Sequence, residues 1–170
     1  LTQRGGRALT LEYASPEQIG GLPITTSSDV YSLGVLLYTL LCGHRPYQLG
    51  RDSRAALEEA ILSGQALRPS QQTPTSAIAD ARATTPKGLV RALAGDLDTI
   101  VLKAIKKQPS ERYATADALM QDLQRYLSGE RVQARPDGLT YRCAKFVRRN
   151  RVGLAVATLR PQHPLHFPDR

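Results

Sequence analysis

A mainly helical fold is predicted for this 170-residue chain by three features. The run from Ser28 to Gly43, SDVYSLGVLLYTLLCG, places Val30, Leu33, Val35, Leu36, Leu37, Leu40 and Leu41 on nearly every face of a helix. Two later stretches, 95–107 and 115–127, carry apolar residues at three- and four-residue spacing. No segment alternates apolar and polar residues in the manner of a strand, and no internal repeat is visible.

The first of these helices is apolar all round, the signature of a segment buried in the middle of a domain, and at about 15 residues it is too short for a membrane span. Ser27 or Ser28 is its expected N-cap and Gly43 its C-terminal stop. Two residues in it need a reason. An interior glycine such as Gly34 costs roughly 1 kcal/mol relative to alanine. An acid such as Asp29, beside so much apolar surface, needs a partner.

Ahead of it, residues 1–27 read as a structured loop with one short helical turn after Pro16, and such loops often carry function. Behind it, SRAALEEAILSG predicts an amphipathic helix near Ser53 to Ser63. From Gly64 to about Ala94 the chain is poor in large apolar residues and reads as a long, mobile connection. A third helix follows with Leu97, Ile100, Val101, Ala104 and Ile105 on one side, ending before Pro109. A fourth begins at Thr115 and lines up Ala116, Leu119, Met120, Leu123, Tyr126 and Leu127. A further basic helix is expected around Leu139 to Arg149, before the apolar VGLAVATL and a proline-rich tail.

Composition narrows the function classes. With 41% hydrophobic residues and this length, one domain or a piece of one is expected. Leu1 opens the chain and Met120 is its only methionine, so it reads as beginning inside a longer open reading frame. Cys42 and Cys143 have neither the number nor the spacing of a disulfide scaffold or zinc site, which suits a reducing, cytoplasmic setting. The net charge of +8 is concentrated: residues 131–170 hold nine Lys and Arg against two Asp, or +7, leaving +1 for the first 130. A neutral body with a basic tail argues against a nucleic-acid-binding domain and for local contact with an anionic surface.

Three motifs, in order, carry a resemblance. ALTLEYASPEQ resembles the end of the activation segment of protein kinases, SDVYSLGVLLYTLLCGHRPY the central helix and turn that follow, and KKQPSERYATADALMQDLQRYL the closing helices. Together they are similar to the C-terminal, helical lobe of bacterial membrane-anchored serine/threonine protein kinases, incomplete here. The expected organisation is a C-lobe fragment over 1–130, a basic juxtamembrane-like segment over 131–151, and a truncated apolar run with a proline-rich tail over 152–170.

The resemblance implies roles residue by residue. Thr10, Glu12 and Tyr13 belong to the substrate-binding end of the activation segment. Glu17 and Arg112 form a structural ion pair between that segment and the final helices, an arrangement suited to the planar guanidinium fork. Asp29 scaffolds the catalytic loop by receiving its backbone N–H groups, and its charge also suits the first turn of a helix. Gly34 permits close approach of a neighbouring backbone. Leu9 and Ser15 depart from the family's usual glycine and alanine. Thr2 and Thr10 are possible phosphoacceptors.

Equally informative is what the 170 residues lack. A kinase needs a glycine-rich loop and a lysine for the phosphates, a His-Arg-Asp loop supplying the base, and an Asp-Phe-Gly aspartate for magnesium. None occurs here, and RGGR at Arg4 to Arg7 has neither the spacing nor the following helix of a phosphate loop. His44, His163 and His166 form no metal or triad pattern. No catalytic residue and no metal ligand is therefore expected in this chain.

The leading expectation is the substrate-side scaffold of a serine/threonine protein kinase, whose missing nucleotide-binding half, using ATP and Mg, would complete transfer to protein substrates. The alternative is a catalytically dead remnant acting at most as a helical interaction module. The basic segment Arg142 to Arg151 precedes an apolar run in the order of a cytoplasmic flank to an inner-membrane helix. Yet Val152 to Leu159 supplies about 12 Å of helix against roughly 30 Å of hydrocarbon. The expectation is that this chain does not span, that weak anionic-membrane contact through the arginines remains, and that Arg160 marks a truncation relative to an anchored ancestor.

Overall fold

The computed structural model describes residues 11–50 and 53–135. Ser15 caps α1 (Pro16–Ile19) through a reciprocal box in which Gln18 N–H donates to Ser15 Oγ and Ser15 N–H to Gln18 Oε1. α2 (Thr26–Cys42) is capped by Thr25, two or three residues earlier than expected, with Ser28 Oγ accepting from Thr25 N–H and donating inward to Glu17. Gly43 closes α2 in the left-handed conformation at φ 74°, its N–H donating to Thr39 O at 2.8 Å.

α2 is the centre of the fold, but it is not buried all round. One face, with Val30, Tyr31, Gly34, Val35, Tyr38 and Cys42, is buried, while Leu33, Leu36 and Leu40 on the other are 42%, 41% and 64% exposed. The choice of face is set by side-chain chemistry. Tyr31 and Tyr38 can enter the core because their hydroxyls find partners, Tyr47 Oη at 2.8 Å and Gln72 Nε2 at 2.6 Å. Burial holds both phenols well above their ordinary ionisation range.

Across that face lies α6 (Asp96–Ala104), whose Leu97, Ile100, Val101 and Ala104 are buried, with Ile105 just beyond it. Gly34 is where the two helices meet. A Cβ at position 34 would lie 2.7 Å from both Ala104 Cβ and Ile105 Cγ2, so only glycine permits this approach.

The stretch from Gly64 to Ala94 is structured. After α3 (Arg54–Leu62) it forms a 3₁₀ turn at Pro69–Gln71, then α4 (Ser76–Asp80) and α5 (Pro86–Leu93). Small apolar residues and polar ties do here what large side chains do elsewhere. Ala79, Leu89 and Leu93 are buried. Ser70 donates from N–H and Oγ to the two oxygens of Asp98 at 2.9 and 2.6 Å. Arg82 donates to Leu40 O at 3.1 and 2.6 Å, capping the exposed end of α2.

α7 (Ala116–Leu127) follows a second 3₁₀ turn, Pro109–Glu111. Leu119 is buried and Leu123 and Tyr126 pack beside it, but Ala116, Met120 and Leu127 face solvent. The inner face instead contains Asp122, fully buried, accepting from Tyr113 Oη at 2.9 Å, Gln133 N–H at 2.6 Å and Ala134 N–H at 2.8 Å. No strand is present among the described residues. The expected helix at 139–149 and the apolar run after it lie outside them.

Candidate functional site

The site forms where α1 meets the turn before α7. Glu17 sits in the first turn of α1 and Arg112 just past the second 3₁₀ turn, and the fold brings them together with both side chains almost fully enclosed. Arg112 Nη1 donates to Glu17 Oε1 at 2.6 Å and Nη2 to Oε2 at 2.7 Å. The guanidinium's other three N–H groups also find acceptors: Ser27 O at 2.8 Å, Lys107 O at 2.9 Å and, from Nε, Lys106 O at 2.7 Å. Ser28 Oγ adds a bond to Glu17 Oε1 at 2.7 Å. Burial pushes the Glu17 carboxyl up, but the bonds from Arg112 and Ser28 outweigh it and hold the group at about 2.

Arg112 also lies over the Tyr31 ring, 5.0 Å from its centroid, which extends the junction to α2. From Tyr31 a hydroxyl contact leads to Tyr47, and from Tyr47 to Lys107 Nζ at 2.8 Å. Burial, reinforced by the Arg112 charge, pulls the Lys107 amine down to about 8. Sequence reasoning missed Lys107 because a Lys-Lys pair reads as a solvated face. Only its nearness to the aromatic Tyr47 in HRPY, after folding, marks it out.

The other expected residues lie as follows. Glu12 pairs with Arg45 at 2.5 Å near the surface, tying the start of the described chain to the turn after α2. Tyr13 is half-buried against the core, and its carbonyl accepts from Ser32 Oγ at 2.7 Å. Asp29 faces solvent in the first turn of α2. Thr10 lies outside the described residues.

Could this arrangement hold a metal or nucleotide? Among the described residues no group of three or more His, Cys, Asp and Glu side chains could hold a metal ion. A cavity of about 410 Å³ is lined by Arg68, Asp98, Leu102, Lys103, Lys106 and Glu111, but neither Glu17 nor Asp29 borders it. What the junction can do is fix backbone: five donors of one guanidinium hold α1, the start of α2 and the turn before α7 at a single point.

The pattern of the protein kinase domain matches residues 4–123, from before α1 to within α7. The chain belongs to the protein kinase family. It is 34% identical over 134 residues to the serine/threonine-protein kinase PknB of Mycobacterium leprae, covering 79% of this chain and 18% of that protein. To PknB of Mycolicibacterium smegmatis it is 37% identical over 130 residues, 76% and 18% of the two chains. The serine/threonine-protein kinase PknD of Chlamydia abortus matches at 28% over 129 residues, 76% and 12% of the two. The chain thus spans less than a fifth of the length of these curated relatives. Among solved structures, a twitchin kinase region from C. elegans covers 88% of this chain and 22% of its own at 19% identity and a TM-score of 0.46. The regular elements of this kinase-family chain are all helical among the described residues, as a C-lobe fragment should be.

Proposed function

We propose that this chain is the substrate-side scaffold of a serine/threonine protein kinase, one that transfers the γ-phosphoryl group of ATP, with Mg, to Ser or Thr of protein substrates. The observation that carries the reading is the Glu17–Arg112 junction inside the family-matched region. It supports a role in holding Glu12 and Tyr13, at the substrate-binding end of the segment that also includes Thr10, against the helical body. Asp29 would scaffold a catalytic loop contributed by a nucleotide-binding half, and the catalytic base, phosphate lysine and metal ligand would come from there as well. Within the chain, 1–130 would be the lobe, 131–151 a basic segment in weak contact with anionic membrane through Arg142 to Arg151, and 152–170 a tail. The setting would be cytoplasmic, with a parent anchored at the inner membrane. No helix among the described residues is long and apolar enough to cross a membrane.

Phosphoryl transfer depends chiefly on positioning and charge stabilisation, so losing the base, metal ligand and lysine together removes nearly all that the enzyme contributes. The test joins the chain in frame to the nucleotide-binding half of a PknB-type kinase and follows labelled phosphate from ATP to a generic basic protein. Transfer by the fusion, lost on Asp29→Ala, is the expected result. A well-folded fusion without transfer would overturn it in favour of the second reading, a catalytically dead helical interaction module. That alternative draws on the lack of every catalytic motif in the 170 residues.

A further inference from the structure

Helix α3 ends without a basic residue in its last turn; Ser63 and Gly64 N–H donate to Glu59 O and Ala60 O, and further donors to its terminal carbonyls come from outside the helix. Lys107 supplies them from 46 residues away in the chain: Nζ donates to Ala60 O at 3.0 Å and Ile61 O at 2.5 Å, as well as to Tyr47 Oη. Apart from this clasp, α3 is held by the buried Ile61, by Leu57 and Ala60 at the edge of the core, and by packing against α1. Its outer surface, with Arg54, Ala55, Glu59 and Leu62, is open.

α1 is held in a parallel way. Its polar tie to the body is Glu17, gripped by Arg112 and Ser28, with Ile19 packed at the edge of the core. The two cations come from the same short stretch, and they are joined, since Arg112 Nη2 donates to the backbone carbonyl of Lys107 at 2.9 Å and Nε to that of Lys106. Shifting Lys107 to follow α3 would therefore move an acceptor of the guanidinium that holds Glu17. Elements that share one set of ties open together as cooperative units.

We propose that α1 and α3 form one opening unit latched by the linked cations Lys107 and Arg112, so that a load on the outer face of α3 is felt at Glu17. The coupling is reciprocal: whatever restrains α1 also restrains α3. The latch depends on the geometry of this chain alone and does not rest on the kinase reading.

Amide hydrogen exchange on the 170-residue chain tests it. The reporters are Ser63 and Gly64, bonded to Glu59 O and Ala60 O, for α3, and Ile19, Gly20 and Leu22, bonded to Ser15 O, Pro16 O and Glu17 O, for α1. Gly43 and Ile105 report on the α2–α6 core. Lys107→Met should speed exchange at both sets by a common factor, about tenfold or more, with the core pair unchanged. Lys107→Arg, which keeps a cationic donor, should return both sets most of the way. Should the Met variant fail to fold, Lys107→Gln, which keeps an N–H donor, should give a smaller but still common acceleration. Acceleration confined to Ser63 and Gly64, acceleration spread equally over Gly43 and Ile105, or no change anywhere would each overturn the proposal.

Discussion

The carboxylate of Glu17 and the guanidinium of Arg112 meet through two parallel hydrogen bonds across 95 positions of chain, with both side chains at most 4% exposed. Removing one member strands the other in a dry site. Arg112→Ala should therefore cost roughly 3 to 5 kcal/mol, whereas replacing both by apolar residues of similar size should cost much less than either single change. Urea midpoints of the three variants check this, and an unchanged midpoint for Arg112→Ala would refute it.

The same pair sets an acid limit. Glu17 ionises at about 2 in the fold against an ordinary 4.5, so its contribution is complete above pH 4.5 and is lost as pH falls towards 2. The stake is on the order of 3 kcal/mol. Between pH 6 and 3, the difference in midpoint between the native chain and Glu17→Gln should shrink; a difference independent of pH would count against the assignment.

At alkaline pH a second group, Lys107, gives a slope of the same sign for the opposite reason, since burial here disfavours the charged form. Lys107 has an amine lowered from 10.5 to about 8, so from pH 8 upward the unfolded chain holds more protons than the folded one. Stability should rise with pH between 7.5 and 9.5 relative to Lys107→Met. The neutral amine keeps donors for Ala60 O and Ile61 O and can accept from Tyr47, so the clasp survives deprotonation. Above pH 10 the buried Tyr31, Tyr38 and Tyr113, whose phenols are raised by burial, oppose the trend. A falling midpoint across 7.5–9.5 would contradict the prediction.

Gly34→Ala tests the α2–α6 contact. The added methyl would meet Ala104 and Ile105 at 2.7 Å, and forcing the helices apart should cost about 1 to 3 kcal/mol despite alanine's better helix propensity. Gly50→Ala, where nothing lies within 4 Å, serves as the control. Equal thermal midpoints for the two variants would mean that the helices part freely.

Without an added half, the 170-residue chain should transfer no phosphate and bind ATP with Mg no better than a generic basic protein. Calorimetric titration and labelled-phosphate assays check this. Micromolar nucleotide binding would reveal groups that the sequence reading overlooked.

Helices with strong periodicity were legible: α3, α6 and α7 lie where spacing and caps place them, because Ser53, Thr115 and the prolines bound them. The buried face of α2 was not. Ranking by hydropathy favours leucines, while the fold chose tyrosines whose hydroxyls had partners waiting at Tyr47 and Gln72. Residues 64–94 were misjudged for a related reason, since ties such as Ser70 to Asp98 and Arg82 to Leu40 are long-range and leave no periodic trace. At the junction, Glu17 and Arg112 were named through motif order alone. Lys107 and Ser28 lie inside two of those motifs, but their partners at the end of α3 and at Glu17 are set only by folding, so no role was assigned to them there.

Asp122 sets the course of the chain just after α7. By accepting the N–H groups of Gln133 and Ala134 from inside α7, it pins the outgoing backbone to the rigid lobe two residues before Arg135. The backbone at Gln133 and Ala134 thus takes its direction from the helical body, in the way a mast takes its angle from the deck. Asp122→Asn would keep the shape of that socket but weaken its grip on two main-chain donors, so the backbone at Gln133 and Ala134 would be held less firmly.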